Sequence, residues 1–229
     1  MKRAEYADAL RALAPHEVAG YLRANSGLPG PRSNLTLLDA VGDVLPRALA
    51  LDFLAEDDEY LACCGTVTLG RLLLEGDRDV IGRMTELAAD SRWRVRESVA
   101  IAAQRVGDND PALLRELVIA WTVHPDPLVV RAGIAAICEP RLLADPATAT
   151  AAIAACQEAT AHLRATPAGH RRDAGVRTLR QALGYCWSVA VAGDPVQGLP
   201  AFTSLDASDP DVAWVVAENR KKKRLITLL

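Results

Sequence analysis

Apolar and polar positions follow a helical period along this chain, and a long clean stripe lies in its middle. Val95, Val99, Ala102 and Val106 fall at i, i+4, i+7 and i+11, on one face of a helix. Ala100, Ile101 and Ala103 widen that face and let neighbouring helices come close on more than one side. Asp90-Ser91 precedes the stripe, where a side-chain oxygen accepts hydrogen bonds from the first free N–H groups of a helix. Gly107-Asp108-Asn109-Asp110-Pro111 follows it, with Gly placed to end the helix and Pro to open the next one.

The same plan recurs. Thirty-five positions on, Asp126-Pro127-Leu128-Val129-Val130-Arg131-Ala132 repeats it, with Leu128 for Trp93, Val130 for Val95 and Arg131 for Arg96. Earlier in the chain, Asp57-Asp58-Glu59-Tyr60-Leu61-Ala62-Cys63-Cys64 opens a similar helix, with Tyr60 at the Trp93 position. Near the end stands Asp209-Pro210-Asp211-Val212-Ala213-Trp214-Val215-Val216-Ala217. A period of roughly 33–47 residues with two helices per unit is the signature of an α-solenoid.

The full periodicity predicts helices over 4–14, 15–25, 35–44, 46–55, 58–75, 78–89, 91–106, 111–123, 127–138, a short 140–144, 146–164, 170–192, 195–204 and 210–226. The expected fold is all-α, a right-handed superhelix of stacked antiparallel helix pairs. Residues 1–32 form an N-terminal hairpin with a Pro/Gly linker, and 33–229 carry the repeats.

Asp-x-x-Trp-x-Val-Arg-x-x-Val-Ala, at Asp90 to Ala100, resembles the second helix of a HEAT-type repeat, of the HEAT/armadillo class. The resemblance implies Asp–Arg ladders between stacked repeats, here Asp90 with Arg96, and Arg131, with Trp93 and Trp214 as repeat-position core residues. Cys63 and Ala217 stand where the first and last copies would need that Arg. Leu28-Pro29-Gly30-Pro31-Arg32-x-Asn34-Leu35 is similar to a segment of small bacterial HEAT-repeat proteins of unassigned function. It is expected to dock the first hairpin, with Asn34 capping the helix from Leu35; the alternative is that Arg32 and Asn34 project into a groove.

Composition narrows the reading. Half the residues are apolar and 4% aromatic, so helices must pack through Ala, Leu and Val. No run reaches the ~18–20 apolar residues of a membrane span, and Met1-Lys2-Arg3-Ala4-Glu5 is not the start of a signal peptide. A cytoplasmic protein is expected. Cys63, Cys64, Cys138, Cys156 and Cys186 show no zinc-ligand spacing and read as buried small hydrophobes, so no metal and no cofactor are expected.

Charge is uneven. Residues 1–80 carry 8 basic and 13 acidic side chains, 81–163 carry 8 and 10, and 164–229 carry 10 and 6, within a total of −3. The four histidines lack a nucleophile or carboxylate at a telling spacing, and Glu56-Asp57-Asp58-Glu59 reads as a solvated helix start. There is no Gly-rich phosphate loop and no nucleophile elbow. No catalytic residue is assigned.

Cations cluster at Arg92, Arg94 and Arg96, at Arg164, His170, Arg171, Arg172, Arg177 and Arg180, and at Arg220-Lys221-Lys222-Lys223-Arg224 on a final helix. Arg92, Arg96, Arg171, Arg172, Arg177 and Arg180 are the candidates for a nucleic acid or other anionic partner, provided that they share a face. Some HEAT-like proteins are alkylpurine DNA glycosylases. Trp93, Trp121, Trp187 and Trp214 invite that comparison, but no catalytic Asp motif of that family matches, and no residue is carried over. The leading expectation is a scaffold that binds a protein or peptide partner without catalysis, and the alternative is a nucleic-acid-binding module.

Overall fold

The computed structural model describes residues 1–228. It is all-helical, and no strand occurs among the described residues. In order, the helices are α1 (Arg3–Ala12), α2 (Pro15–Asn25), α3 (Leu35–Val44), α4 (Arg47–Leu54), α5 (Glu59–Leu74), α6 (Val80–Ala88), α7 (Trp93–Asn109), α8 (Pro111–Thr122), α9 (Pro127–Ile137), α10 (Pro146–Ala165), α11 (Ala174–Gly193), α12 (Pro195–Thr203), α13 (Pro210–Arg220) and α14 (Lys223–Ile226). Short 3₁₀ turns at Leu142–Ala144 and Ala168–His170 lead into α10 and towards α11.

The chain forms two compact units, Met1–Val106 and Gly107–Leu229. In the first, α5 is the axis. Every residue from Tyr60 to Gly70 is buried, which marks a helix surrounded on all sides rather than one lying on a surface. α2, α3, α4 and α6 pack on it, and α1 packs on α3, so the 26–34 linker lies inside this unit. Thr66 and Thr68 enter this apolar setting because their hydroxyls donate back to the Ala62 and Cys64 carbonyls, at 2.7 and 2.9 Å. Gly70 lets the α7 backbone close on α5: a Cβ there would run into the carbonyl of Ala102.

In the second unit α11 plays the same part, packed by α9, α10, α12, α13 and α14, with α8 on α9. Trp187 is fully buried at its centre, donates to the Thr160 hydroxyl at 3.0 Å and lies 5.8 Å from the Phe202 ring. Five of the seven α-helix starts in this unit follow one rule. Asp110, Asp126, Asp145, Asp194 and Asp209 each accept from a backbone N–H two or three residues ahead, and a Pro follows each as the first helical residue.

Three sequence expectations need correction. The stripe helix does not stop at Gly107 but runs on to Asn109. Gly107 is there for close packing, since a Cβ would press on Leu114 and Leu142. The long helix expected from 170 begins at Ala174, after the 3₁₀ turn. The helix expected over 210–226 breaks after Arg220, so the cation run spans the break between α13 and α14 rather than lining one helix. The turn lets Leu225 bury itself completely.

Candidate binding groove

Residues 26–34 leave α2 and turn tightly. Gly27 has φ +75°, and a Cβ there would lie 2.9 Å from the Arg32 carbonyl, so the position requires glycine. Asn34 then anchors the turn. Its Oδ1 accepts from Leu37 N at 3.0 Å, capping α3, and its Nδ2 donates to Tyr6 Oη and to the Asn25 carbonyl, both at 2.9 Å. Tyr60 Oη donates to the Asn34 carbonyl at 2.8 Å. The loop is thus tied to α1, α2 and α5, and it both caps α3 and docks the first hairpin, as its sequence implies.

One face of this loop is the wall of a groove of about 430 Å³. Pro31, Arg32, Leu35 and Leu38 line it from the loop and α3, Cys63 from α5, and Trp93, Arg94, Glu97, Ser98 and Ile101 from α7. The last five fall on one stripe of α7. Two large apolar groups stand open here: Trp93 is 55% exposed and Leu35 57%. Trp93 is therefore not the core residue that its repeat position implies.

Electrostatics along the rim are mostly settled within the protein. The Arg94 guanidinium lies 4.5 Å from the Trp93 ring centroid and pairs with Glu59 at 2.8 Å. Arg23 pairs with Asp58 at 3.1 Å and Glu56 at 3.4 Å. Glu97 has an interaction of its own. Arg32 is exposed, and no ion pair holds it among the described residues.

Burial pushes the Cys63 thiol up to about 11, against the opposing pull of the Ser98 hydroxyl, and Ser98 itself donates to the Arg94 carbonyl at 2.9 Å. What the site presents is shape, apolar surface and one unsatisfied cation.

The remaining sequence candidates are largely spent on structure. Arg92 forks onto Asp90 at 2.8 and 3.0 Å, and that hydrogen bond holds the Asp90 carboxyl below its usual range. Asp90 accepts from Arg92 N at 2.7 Å, just ahead of the first turn of α7. Arg96 donates instead to the backbone carbonyls of Asp90 and Ser91, at 2.6 and 2.9 Å. Asp90 thus holds Arg92 by its side chain and Arg96 through its backbone carbonyl. Arg131 is half-buried on α9.

In the second unit Arg171 pairs with Asp209 at 2.7 Å and Asp211 at 3.2 Å, and Arg180 with Asp211 at 2.8 Å. The Arg180 guanidinium lies 4.7 Å from the half-buried Trp214 ring. Arg172 and Arg177 are exposed, with no ion pair among the described residues. Arg92 and Arg96 belong to the first compact unit and the other four candidates to the second.

Two arrangements had no sequence signal. Cys138 and Cys156, distant in the chain, bring their sulfurs to 3.7 Å in the core, and Cys186 Sγ donates to the Ile134 carbonyl at 3.6 Å. Buried Asn219 of α13 clamps α11, accepting from Ser188 N and donating to the Leu183 carbonyl, both at 2.8 Å. Among the described residues no group of His, Cys, Asp or Glu could hold a metal ion, and no helix is long and apolar enough to cross a membrane. No protein-family model, curated protein or solved structure matches the chain. Fold and site together define an all-helical protein with a surface groove that one exposed tryptophan lines.

Proposed function

We propose that this chain is a HEAT-type repeat protein, an α-solenoid of stacked helix pairs, that binds a protein or peptide partner and performs no chemistry on it. The observation that carries this reading is the Trp93 groove. A large aromatic and a large aliphatic side chain stand open on one cleft whose walls are fixed by hydrogen bonds. Each is a little over half exposed, so covering the remainder is worth about half of the 1.5–3 kcal/mol of a full side-chain burial, and a partner that covers them gains it. The cytoplasm is the compartment in which five unpaired thiols are expected to persist.

The nucleic-acid reading is the weaker one. Arg92, Arg94, Arg171 and Arg180 already neutralise carboxylates within hydrogen-bonding distance. A phosphate would have to displace those carboxylates, which leaves Arg172 and Arg177 as the exposed contacts among the six candidates without an ion pair among the described residues. The test is a random-peptide display selection on the wild-type protein and on Trp93→Ala, beside titration of a labelled DNA duplex and single strand across a salt series. Peptides retained by the wild type and lost with Trp93→Ala are expected. A micromolar DNA complex that weakens steeply with salt would overturn the reading in favour of nucleic acid.

A further inference from the structure

Taking the partner-binding reading as its basis, we infer that the Trp93 groove selects an acidic peptide segment, in which a bulky apolar side chain lies against Trp93 and a nearby carboxylate pairs with Arg32. The apolar half of this specificity follows from the lining. Trp93, Leu35, Leu38 and Ile101 all line the groove, and its most exposed apolar members, Trp93 and Leu35, come from α7 and α3. A side chain seated in the groove has apolar surface from both helices to cover.

The charge half follows from what is already compensated. Around the loop, Glu56 and Asp58 are held by Arg23, and Glu59 is held by Arg94. Glu97, the acid on the groove wall, has an interaction within the protein. That leaves Arg32 as the uncompensated group at the mouth. It sits on the Pro31-Arg32-Ser33-Asn34 segment, whose backbone is pinned by the hydrogen bond from Asn34 N to the Ser26 carbonyl at 2.7 Å. A guanidinium on a fixed backbone, with no ion pair among the described residues, matches a carboxylate better than any other peptide group.

The acidic character of the N-terminal part of the chain, 8 basic against 13 acidic residues over 1–80, opposes this at long range. Charges more than about 10 Å apart are nearly screened at physiological salt, however, so the group in contact decides the preference.

The experiment compares peptide-display selections on the wild type, Arg32→Gln, Arg32→Glu and Trp93→Ala. Retained folding is checked by far-ultraviolet circular dichroism, which substitution of these exposed side chains should not alter. Wild-type peptides should carry Asp or Glu within a few positions of a bulky apolar residue. Arg32→Glu should shift the selected residue to Lys or Arg. For a synthetic copy of the best wild-type peptide, Asp→Asn or Glu→Gln should weaken binding about three- to fivefold, less at high salt, and Arg32→Glu should weaken the acidic peptide by roughly tenfold.

Peptides that depend on Trp93 but show no acidic preference and no response to Arg32→Glu would overturn the charge selection while sparing the partner-binding reading. No Trp93-dependent peptide at all would overturn both.

Discussion

The two units of the molecule carry the same small device and use it differently. In the first, Arg94 lies on Trp93 and is held by Glu59. In the second, Arg180 lies on Trp214 and is held by Asp211. The ring-to-guanidinium distances, 4.5 and 4.7 Å, are nearly equal. The surroundings are not. Trp214 packs flat against α11 because Gly184 leaves room, and a Cβ there would come within 2.9 Å of the ring. Asp211, which clamps Arg180, is itself buried. Trp93 has no such floor and opens onto the groove. The same cation–π contact therefore serves structure where the ring is covered and leaves a surface for a partner where it is not.

That contrast can be broken by mutation, in order of expected effect. Trp187→Ala, in the second unit, removes a fully buried indole and its hydrogen bond to Thr160. It should cost about 3–5 kcal/mol in urea unfolding. Gly70→Ala forces a methyl into the Ala102 backbone of the first unit, and about 1–3 kcal/mol is expected. Asn219→Ala leaves Ser188 N and the Leu183 carbonyl buried with no side-chain partner, so a loss of about 1–3 kcal/mol should appear in the same assay.

Asp209 sharpens the comparison through pH. The Arg171 hydrogen bond lowers its pKa below the ordinary value of 3.8. Its contribution is therefore fully present above the unfolded-state value and is lost as pH falls through the lower, folded-state one. Asp209→Asn keeps a capping oxygen but no charge. It should lower stability at neutral pH by less than about 1 kcal/mol, and flatten the acid loss below pH 3.8, as read from midpoints across an acid series. Trp93→Ala should change stability by no more than about 0.5 kcal/mol while removing partner binding.

Most helix positions were legible in the sequence because their signals are local. Asp-Pro fixes a cap and a first turn within two residues, and five helices of the second unit begin that way. Asn34 could be read as a cap for the same reason. What was hidden depends on groups far apart in the chain. Gly107 carries the composition of a helix stop, and only the approach of Leu114 and Leu142 shows it to be a packing position. The break after Arg220 follows from the burial of Leu225, which a run of cations does not announce.

Trp93 resembles a core residue by register, and its exposure depends on how the 31–35 segment lies across from α7. The cations at Arg171 and Arg180 looked available because Asp209 and Asp211, their partners, lie some thirty to forty residues away. Of the groove's lining, the sequence favoured only the docking and capping role of the segment with Arg32 and Asn34. The rest of the lining belongs to tertiary structure.

The most direct measurement follows the four tryptophan indole N–H resonances while a peptide from the display selection is titrated into the labelled wild-type protein. Single Trp→Phe variants assign the signals. If the groove is the docking site, the Trp93 resonance moves with saturation while those of buried Trp121 and Trp187 and of covered Trp214 stay in place. A peptide that binds and shifts Trp214 but leaves Trp93 unmoved would place the functional surface in the second unit and contradict the assignment made here.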